Sequence, residues 1–302
     1  MTDNFYRALE DKFRGSRELI KERLEVYLPF ILPIRDALPE VFAIDLGCGR
    51  GEWLELLASN GFDAQGVDLD DAMLLSACQA FDGLTVHTGD VLEFLQATPD
   101  NSQAIVSGFH IAEHLPFAQL QHLVREALRV LMPGGLLILE TPNPENFRVA
   151  TLSFYYDPTH LNPLPPDLLS FLTEFTGFKR NKVIRLQESE QLRTSLSASL
   201  DEVLGGVSPD YAVVAQKGSD AATMALFDQP FAKEYGLDAS ILVERFDRAL
   251  REHNDIKVEM LAALAEARAE IAAFKTSTSW RITAPLRATS RMLRWFFLRR
   301  SC

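Results

Sequence analysis

This 302-residue sequence has few cysteines, no long apolar run, and few basic residues relative to acidic ones before residue 280. Its three cysteines, Cys48, Cys78 and Cys302, have neither metal-ligand spacing nor a disulfide pattern, which indicates a reducing compartment. No run of 18 apolar residues exists, and the first residues lack the basic and then apolar pattern of a secretion signal. We therefore expect a cytoplasmic protein without a membrane span.

The shortage of basic side chains also excludes one class of partner. Residues 280–302 contain six arginines and no acid, which leaves 24 basic against 42 acidic side chains in the rest of the chain. That part carries a net charge of −18, although the whole chain is at −12. A surface of this sign repels phosphate backbones, so no nucleic acid is expected as a partner.

The most informative stretch is residues 41–54, V-F-A-I-D-L-G-C-G-R-G-E-W-L. Its first apolar residues predict a buried parallel strand, the alternate glycines predict a tight turn, and the spacing of Trp53 and Leu54 with later leucines predicts a helix. A dinucleotide fingerprint needs its third glycine one residue later than Gly51. Asp45 would also repel a pyrophosphate, so this acid favours a ligand that carries positive charge.

The pattern D-x-G-x-G-x-G resembles the first motif of the class I S-adenosylmethionine-dependent methyltransferases. In that family the acid faces the amino group of the methionine part, and the glycines make room for the cofactor. L-x-P-G-G-x-L-x-L, which starts at Leu131, resembles the family's entry into strand five. The resemblance covers about residues 41–217. It implies an α/β fold with a Rossmann-like seven-stranded sheet, whose last strands, Lys182–Leu186 and Tyr211–Gln216, form an antiparallel hairpin. A generic tight turn and a nucleotide oxidoreductase are the alternatives.

Further acids follow the next predicted strands. Asp68 lies about 20 residues beyond the glycine turn, where a carboxylate binds the ribose hydroxyls in a βαβ nucleotide site. The resemblance assigns the adenine amino group to Asp90, and the same residue can cap the following helix.

A segment ahead of the first strand forms a lid over the cofactor in related methyltransferases. Tyr6, Arg14 and Arg17 could then contact the cofactor carboxylate or an anionic substrate, whereas solvated arginines on a packing helix are the alternative. The predicted cofactor-binding residues are Asp45, Gly47, Cys48, Gly49, Asp68, Leu69, Asp90, Val91, Phe109, Tyr6 and Arg17.

The stretch after the fourth predicted strand, H-I-A-E-H-L-P at residues 110–116, has three ionisable groups within five residues. On a helical turn His110 and His114 share a face, with Glu113 beside them. His114 is the predicted general base for a hydroxyl acceptor, and His110 or His160 is the next candidate. Alternatively Glu113, His114 and His160, together with His110, bind a divalent metal. In a third interpretation the histidines only stabilise the loop.

The metal alternative depends on a second resemblance. An E-x-x-E-H turn with a distant histidine binds metal in some RNA and quinone-ring methyltransferases. Here His110 replaces the first glutamate of that pattern, and the additional nitrogen favours a softer transition metal over magnesium.

A long proline-rich segment, residues 141–166, follows strand five and is predicted to be irregular. Long loops in a compact domain are usually functional, and this one leaves the carboxyl end of a strand. Its aromatic and hydrogen-bonding side chains suit a sugar or another polyhydroxyl acceptor, whereas a proline-stiffened structural loop is the alternative. The predicted acceptor-binding residues are Tyr155, Tyr156, Asp157 and Asn162.

The composition changes after Ser219. From Leu242 to Phe274 apolar residues recur at helical spacing, which predicts either a coiled coil that joins two copies or one helix packed on the preceding domain. The tail then combines arginine with aromatic residues, as in helices that lie on an anionic membrane surface or on a partner helix. The run T-S-x-S-W-R-x-T-x-P-L-R, which starts at Thr276, resembles segments of bacterial polysaccharide glycosyltransferase systems.

Four segments are predicted: an N-terminal helical lid (1–40), a class I methyltransferase domain (41–218), a helical or coiled-coil region (219–279) and a basic amphipathic tail (280–302). The resemblances imply S-adenosylmethionine as cofactor, with a divalent metal undecided, and O-methylation of a saccharide in cell-surface polysaccharide or O-antigen biosynthesis. A quinone-type small-molecule O-methyltransferase is the second hypothesis, and a non-catalytic membrane-associated coiled-coil scaffold is the third. The tail is expected to attach the protein either to the inner face of the cytoplasmic membrane or to a glycosyltransferase.

Overall fold

The structure is a computed structural model that describes residues 15–38 and 41–290. Tyr6, Arg14 and the last part of the predicted tail lie outside the described residues. The chain divides into two compact units between Arg245 and Phe246. The sequence places the end of the methyltransferase domain at residue 218, whereas the structure keeps residues 219–245 with the first unit, because Phe227 is buried in its core.

The first unit is built on one sheet of seven strands in the order β3-β2-β1-β4-β5-β7-β6. The strands are β1 (Phe42–Leu46), β2 (Asp63–Asp68), β3 (Thr85–Thr88), β4 (Gln103–Phe109), β5 (Leu131–Pro142), β6 (Arg180–Leu186) and β7 (Asp210–Gln216). Strands β1 to β5 run parallel, and β7 runs antiparallel to both β5 and β6. The predicted Rossmann-like sheet with its antiparallel edge pair is confirmed.

Helices flank this sheet and connect its strands. Those before β5 are α1 (Arg17–Leu24), α2 (Leu28–Ile31), α3 (Ile34–Ala37), α4 (Glu52–Ser59), α5 (Asp71–Ala80), α6 (Val91–Ala97) and α7 (Phe117–Val130). Those after β5 are α8 (Phe147–Thr151), α9 (Pro166–Thr176), α10 (Glu190–Thr194), α11 (Leu200–Gly205), α12 (Ala221–Ala225), α13 (Asp228–Ala232), α14 (Ala239–Thr276) and α15 (Thr278–Ile282).

A glycine turn and two helix caps fix the course of the chain at the edge of the sheet where β1, β2 and β3 end. Gly51 has a φ of 76° directly before α4, a left-handed conformation that glycine adopts at little cost. Asp70 and Asp90 cap α5 and α6, because Oδ1 of each accepts hydrogen bonds from two amides of the first helical turn. These turns bring several acids to one edge of the sheet.

Two apolar clusters cover the two faces of the sheet. Successive side chains of β1 point to opposite faces, so Ile44 packs in one cluster and Ala43 in the other. Along β4, Val106 and Ile105 divide in the same way, and every residue of this strand is buried. A strand covered on both faces is the expected position for a continuous apolar run.

Two segments without a clear sequence pattern contain short helices. Residues 141–166 include α8, capped by Asn146, and a 3₁₀ turn at Ser153–Tyr156. Residues 187–208 include α10 and α11, capped by Ser189 and Ser199. Helices of five or six residues are too short for an apolar period to be visible, so only the cap residues signalled them.

The second unit contains most of α14, followed by α15. The side chains of residues 250–276 are all exposed. Beyond them, Trp280 packs against Phe274 with ring centroids 4.8 Å apart, and the guanidinium of Arg287 lies 3.5 Å from the centroid of the Trp280 ring. Among the described residues, no helix is long and apolar enough to span a bilayer.

Candidate active site

A cavity of about 380 Å³ lies at the carboxyl ends of β1, β4 and β5, beside the first residue of β7. One part of its wall, here named the glycine side, consists of Asp45, Gly47, Cys48, Trp53 and Phe109. The other part, the histidine side, consists of His110, His114, Glu140, Tyr156, Asp157, His160 and Asp210. Carboxyl ends of parallel strands are where ligands bind in open α/β sheets.

Asp45 ends β1 on the glycine side and is only 2% exposed. Ser107, its neighbour on β4, donates a hydrogen bond to Oδ1 of Asp45 at 2.8 Å. Asp45 also lines the cavity, so its buried carboxylate lies at the cavity wall.

Two glycines keep the glycine side open. Gly47 has a φ of 69°, and a Cβ at this position would lie 3.3 Å from Cδ1 of Ile111. Gly66 lies on β2, where a Cβ would lie 2.5 Å from Sγ of Cys48, well inside van der Waals contact. Gly66 is missing from the predicted site residues, although an isolated glycine inside a strand signals such a close approach.

Asp68 and Asp90 follow the glycine side along the edge of the sheet. Oδ2 of Asp68 accepts a hydrogen bond from the amide of Gly49 at 2.9 Å, which ties the end of β2 to the glycine turn. Oδ1 of Asp90 accepts from Leu92 and Glu93 at 2.8 and 3.1 Å. Both carboxylates are thus fixed at the ends of neighbouring strands, next to the turn.

Cys48 and Phe109 belong to the apolar part of the glycine side. Burial raises the pKa of the Cys48 thiol, so this group stays neutral. Phe109 packs against Trp53 and Tyr27 with ring centroids 5.2 and 5.5 Å apart. Trp53 and Phe109 give this side of the cavity an apolar surface, and Tyr27 packs behind them.

Three further predicted cofactor residues, Leu69, Val91 and Arg17, do not line the cavity. Leu69 is 74% exposed, and Val91 is buried at the start of α6. Arg17 donates a hydrogen bond to Glu55 at 3.0 Å and another to the carbonyl of Arg50. Its guanidinium is therefore held against α4.

His110 begins the histidine side in a left-handed conformation, with a φ of 56°. Its amide donates to the carbonyl of Glu140 at 2.9 Å, which continues the β4–β5 ladder past Phe109. The expected helical turn is therefore shorter and contains only the 3₁₀ segment Ala112–His114. The prediction that His110 and His114 share a helical face is wrong, although both line the cavity.

His110 lies between carboxylates. Its Nδ1 is 3.2 Å from Oε1 of Glu113, and its Nε2 is 3.6 Å from Oε1 of Glu140. Burial lowers the pKa of His110, but the hydrogen bonds to these carboxylates outweigh burial and raise it well above 6.5. Burial likewise opposes ionisation of Glu113, and the bond from His110 reverses this and lowers the Glu113 pKa. An imidazolium thus neutralises part of the buried negative charge.

Glu140 and Asp210 complete this charged group. Tyr27 donates a hydrogen bond to Oε2 of Glu140, and this contact joins residues 113 positions apart. Burial raises the pKa of Asp210 to about 6, against the opposing effect of His110. Ligand atoms of His110, Glu140 and Asp210 lie within 4.8 Å of one another, so these three groups could also hold a metal ion.

His114 is oriented by the loop between β5 and α9. Thr159 donates its hydroxyl hydrogen to Oδ1 of Asp157 at 2.6 Å, and its Oγ1 is 2.9 Å from Nδ1 of His114. Because the hydroxyl has one hydrogen, this arrangement assigns the N–H of the ring to Nδ1. Burial lowers the pKa of His114, so the ring is neutral and Nε2 is its basic nitrogen.

The ring of His160 is held by the backbone. Its Nδ1 donates to the carbonyl of Phe154 at 2.7 Å, and its Nε2 lies 3.9 Å from Oε1 of Glu113 and 3.8 Å from Oδ2 of Asp157. The rings of His160 and His114 are in edge contact, with centroids 4.7 Å apart. Ligand atoms of Glu113, His114 and His160 lie within 4.8 Å of one another.

The predicted acceptor residues divide into two pairs. Tyr156 and Asp157 line the cavity. Tyr155 is 64% exposed and packs on Phe154, and Asn162 is exposed on the loop.

Tyr27, Glu140 and Asp210 are missing from the predicted site residues. Glu140 follows the apolar run of β5 as Asp45 follows that of β1, and that signal could have identified it. For Tyr27 and Asp210 the sequence gives no comparable signal, because their positions depend on the packing of α1 and on the antiparallel edge strand.

Comparison with known proteins gives consistent matches for the first half of the fold. The family model described as a methyltransferase domain matches residues 43–135. A probable S-adenosylmethionine-dependent methyltransferase of Mycolicibacterium smegmatis is 31% identical over 136 residues, which are 45% of this chain and 51% of that protein. A ubiquinone biosynthesis O-methyltransferase of Methylococcus capsulatus is 33% identical over 105 residues, or 33% of this chain and 43% of that protein.

A solved structure is similar over a larger share of the chain. The crystal structure of a SAM-dependent methyltransferase from Archaeoglobus fulgidus is 31% identical, with a TM-score of 0.61, and covers 70% of this chain and 100% of that chain. The chain spans about half the length of the curated relatives it matches. The matched family region contains the glycine turn and His114, and it ends before Glu140 and the loop that carries Asp157.

Proposed function

Because the chain belongs to the class I S-adenosylmethionine-dependent methyltransferases, we propose that it methylates a hydroxyl group of a sugar in a cell-surface polysaccharide or its precursor. The observation that carries this proposal is the polar wall of the histidine side, where Asp157, Glu140 and Asp210 surround one cavity. Carboxylates accept hydrogen bonds from neighbouring hydroxyl groups, as a polyhydroxyl acceptor requires.

The glycine side fits S-adenosylmethionine. Buried Asp45 would hold the cationic amino group, and Asp68 would accept the ribose hydroxyls while Asp90 faces the adenine amino group. Gly47 lines the cavity with a φ of 69°, a conformation that glycine adopts at little cost and that lets a cofactor approach the backbone closely. When bound, the cofactor supplies a methyl group on a cationic sulfur that is already activated for transfer.

His114 would act as the general base. Its Nε2 takes the proton of the acceptor hydroxyl, which makes the oxygen a better nucleophile. Thr159 fixes the tautomer because it accepts the Nδ1 hydrogen of His114, and Asp157 fixes Thr159 in turn. In this mechanism Asp157 orients the base through Thr159 in addition to facing the acceptor.

Glu113, His114 and His160 also fit a divalent cation. Each histidine has its Nδ1 hydrogen engaged by an oxygen, as is usual for metal-binding imidazoles, and the carboxylate of Glu113 faces Nε2 of His160. Two imidazoles and a carboxylate suit zinc or another transition metal. The ion would polarise the acceptor hydroxyl, and His114 would then be a ligand instead of the base.

A quinone-type small-molecule acceptor is the second candidate. It is favoured by the similarity to the ubiquinone biosynthesis O-methyltransferase and by the convergence of Glu113, His114 and His160. The charged group around His110 argues against it, because an apolar ring with a long hydrocarbon chain would desolvate these carboxylates without compensation.

Label transfer from methyl-labelled S-adenosylmethionine separates these candidates. The purified protein is incubated with lipopolysaccharide and, in a parallel reaction, with a quinone extract, each with and without a chelator. Label in the polysaccharide supports the proposal, and label in the quinone fraction alone supports the second candidate. Loss of label with chelator identifies the metal-assisted mechanism.

The third hypothesis, a non-catalytic scaffold, is tested by cofactor binding. Calorimetry should detect binding of S-adenosylmethionine that is lost in Asp45→Ala and Asp68→Ala. A protein that binds no cofactor, or that labels neither acceptor, would contradict the proposed activity.

Attachment to a membrane is proposed for the basic tail. Residues 280–290 belong to the described part, where Arg281 and Arg287 carry positive charge. Sedimentation with vesicles that contain anionic lipid should decrease on deletion of residues 280–302. Equal sedimentation of the two proteins would exclude this role, and attachment to a glycosyltransferase would then be the remaining function proposed for the tail.

A further inference from the structure

The part of α14 in the second unit has an apolar face that is largely exposed, and Trp280 packs on one end of it, against Phe274. Leu250, Met260, Leu264, Ile271 and Phe274 are between 46 and 68% exposed. Most helical stability in proteins comes from packing of an apolar face. The exposed apolar side chains of this face are therefore suited to a partner helix.

The spacing of the face identifies the geometry of that partner. Apolar or long side chains recur at alternating steps of four and three residues, at Phe246, Leu250, His253, Lys257, Met260, Leu264, Ala267, Ile271 and Phe274. This seam contains larger side chains than the neighbouring seam through Ala249 and Ala263. A regular seven-residue repeat predicts a left-handed two-stranded coiled coil.

A parallel pair of these helices would bury like charges. Each residue of the seam would face its own copy, so Lys257 would meet Lys257 and His253 would meet His253. The flanking residues Glu270 and Lys275 have the spacing of an attractive contact in a parallel pair. That exposed contact is worth less than the cost of two ammonium groups facing each other inside the seam.

An antiparallel pair removes this conflict. In one such register Phe246 lies against Ile271 of the second copy. The pairs that follow from it are Leu250 with Ala267, His253 with Leu264 and Lys257 with Met260. Each polar residue then meets an apolar one, and the stem of Lys257 can lie on Met260 while its ammonium group reaches water.

The flanking charges agree with the antiparallel arrangement. In the same register Asp247 of one copy lies beside Arg268 of the other, and the two-fold symmetry repeats this contact at the opposite end. No like charges face each other along the flanks in this register.

We infer that the second unit binds a second copy of this chain through an antiparallel coiled coil, with Phe246 facing Ile271 and Lys257 facing Met260. The catalytic units would then be joined as a dimer through α14. This inference is independent of the acceptor and of the proposed reaction.

Disulfide trapping tests the orientation. In full-length protein with Cys78 and Cys302 replaced by serine and the buried Cys48 retained, His253→Cys and Leu264→Cys are made separately and mixed under mild oxidation. The expected product is the mixed disulfide, identified by intact mass, because these positions face each other only in the antiparallel pair. Glu259→Cys, on the outer face, is the matched control and should remain reduced.

Each outcome decides the inference. Disulfides within each variant alone would show a parallel pair, and a monomer by light scattering would exclude pairing altogether. Asp247→Arg should weaken the dimer several-fold, and the double exchange Asp247→Arg with Arg268→Asp should restore it. Unchanged binding of S-adenosylmethionine by these variants would show that the first unit is intact.

Discussion

The glycine side and the histidine side of the cavity are built in different ways. On the glycine side the contacts are local in sequence: Gly49 binds Asp68 across 19 positions, and Asp90 binds its own helix. On the histidine side His114 meets Thr159 across 45 positions, and Tyr27 meets Glu140 across 113. A site made from successive turns can be identified from spacing, whereas a site made from distant segments exists only after folding.

The two sides also differ in how their charges are stabilised. Asp68 and Asp90 are held by backbone amides, which any sequence supplies. His110 and Glu113 are held by each other, and Glu140 depends on Tyr27 and His110. Substitution should therefore damage cofactor binding on one side and catalysis or stability on the other, and the following experiments test that separation.

The largest effect is expected for His114→Ala. Loss of a general base lowers kcat by about 1000-fold, while the Kd of S-adenosylmethionine should stay unchanged because the glycine side is intact. Steady-state kinetics and calorimetry measure the two quantities. His122→Ala is the matched control, since this histidine is half-buried on α7, contacts Gln96 and does not line the cavity. Normal kcat in His114→Ala would remove the base from the mechanism.

Asp45→Asn should have the next largest effect, and it should change cofactor binding instead of kcat. Replacing the buried carboxylate by an amide removes the charge that faces the cofactor amino group, so the Kd of S-adenosylmethionine should rise about 100-fold. Because asparagine can still accept the Ser107 hydrogen bond, the melting temperature should change little. Calorimetry with the cofactor checks the first statement and thermal unfolding the second. An unchanged Kd would mean that the cofactor does not use Asp45.

The sheet and the glycine turn could be predicted from sequence because each rests on a local rule. Apolar runs, strand-ending acids such as Asp45 and helix caps such as Asp90 have the same meaning wherever the chain places them. His110 shows where such rules fail: its neighbours favour a helical turn, but pairing with β5 extends β4 and forces a left-handed conformation. Tyr27 reaches Glu140 through the packing of α1, which no short pattern encodes.

Tyr27→Phe should destabilise the protein by about 2 kcal/mol, because it removes a buried hydrogen bond to a charged group. The matched control is Tyr211→Phe, since Tyr211 is equally buried but donates to the neutral carbonyl of Leu164 at 2.8 Å. That variant should lose about 1 kcal/mol. Urea unfolding measures both. An equal loss in the two variants would show that the charge of Glu140 adds nothing to this contact.

Thr159→Val should lower kcat about 10-fold, because the Nδ1 hydrogen of His114 loses its acceptor and the ring can adopt the other tautomer. The KM for the acceptor should change little, since Thr159 acts through His114. Thr159→Ser retains the hydroxyl and should restore most of the activity. If the valine and serine variants lose activity equally, the methyl group matters and the hydrogen bond does not.

Asp210→Asn should give the smallest effect, a gain in stability whose size depends on pH. Burial raises the pKa of Asp210 to about 6 in the folded state, above the usual value of 3.8 for an aspartate. The folded protein therefore binds the proton more tightly than the unfolded chain, and this carboxyl lowers stability as pH rises from about 4 through 6. Asparagine removes that penalty, so the variant should gain on the order of 1 kcal/mol at pH 7.5 and almost nothing at pH 4. Asp201→Asn, an exposed acid paired with Arg148, should show no such gain. Unfolding curves at both pH values compare the variants, and a loss of stability at pH 7.5 in Asp210→Asn would mean that the negative charge supports the histidine side.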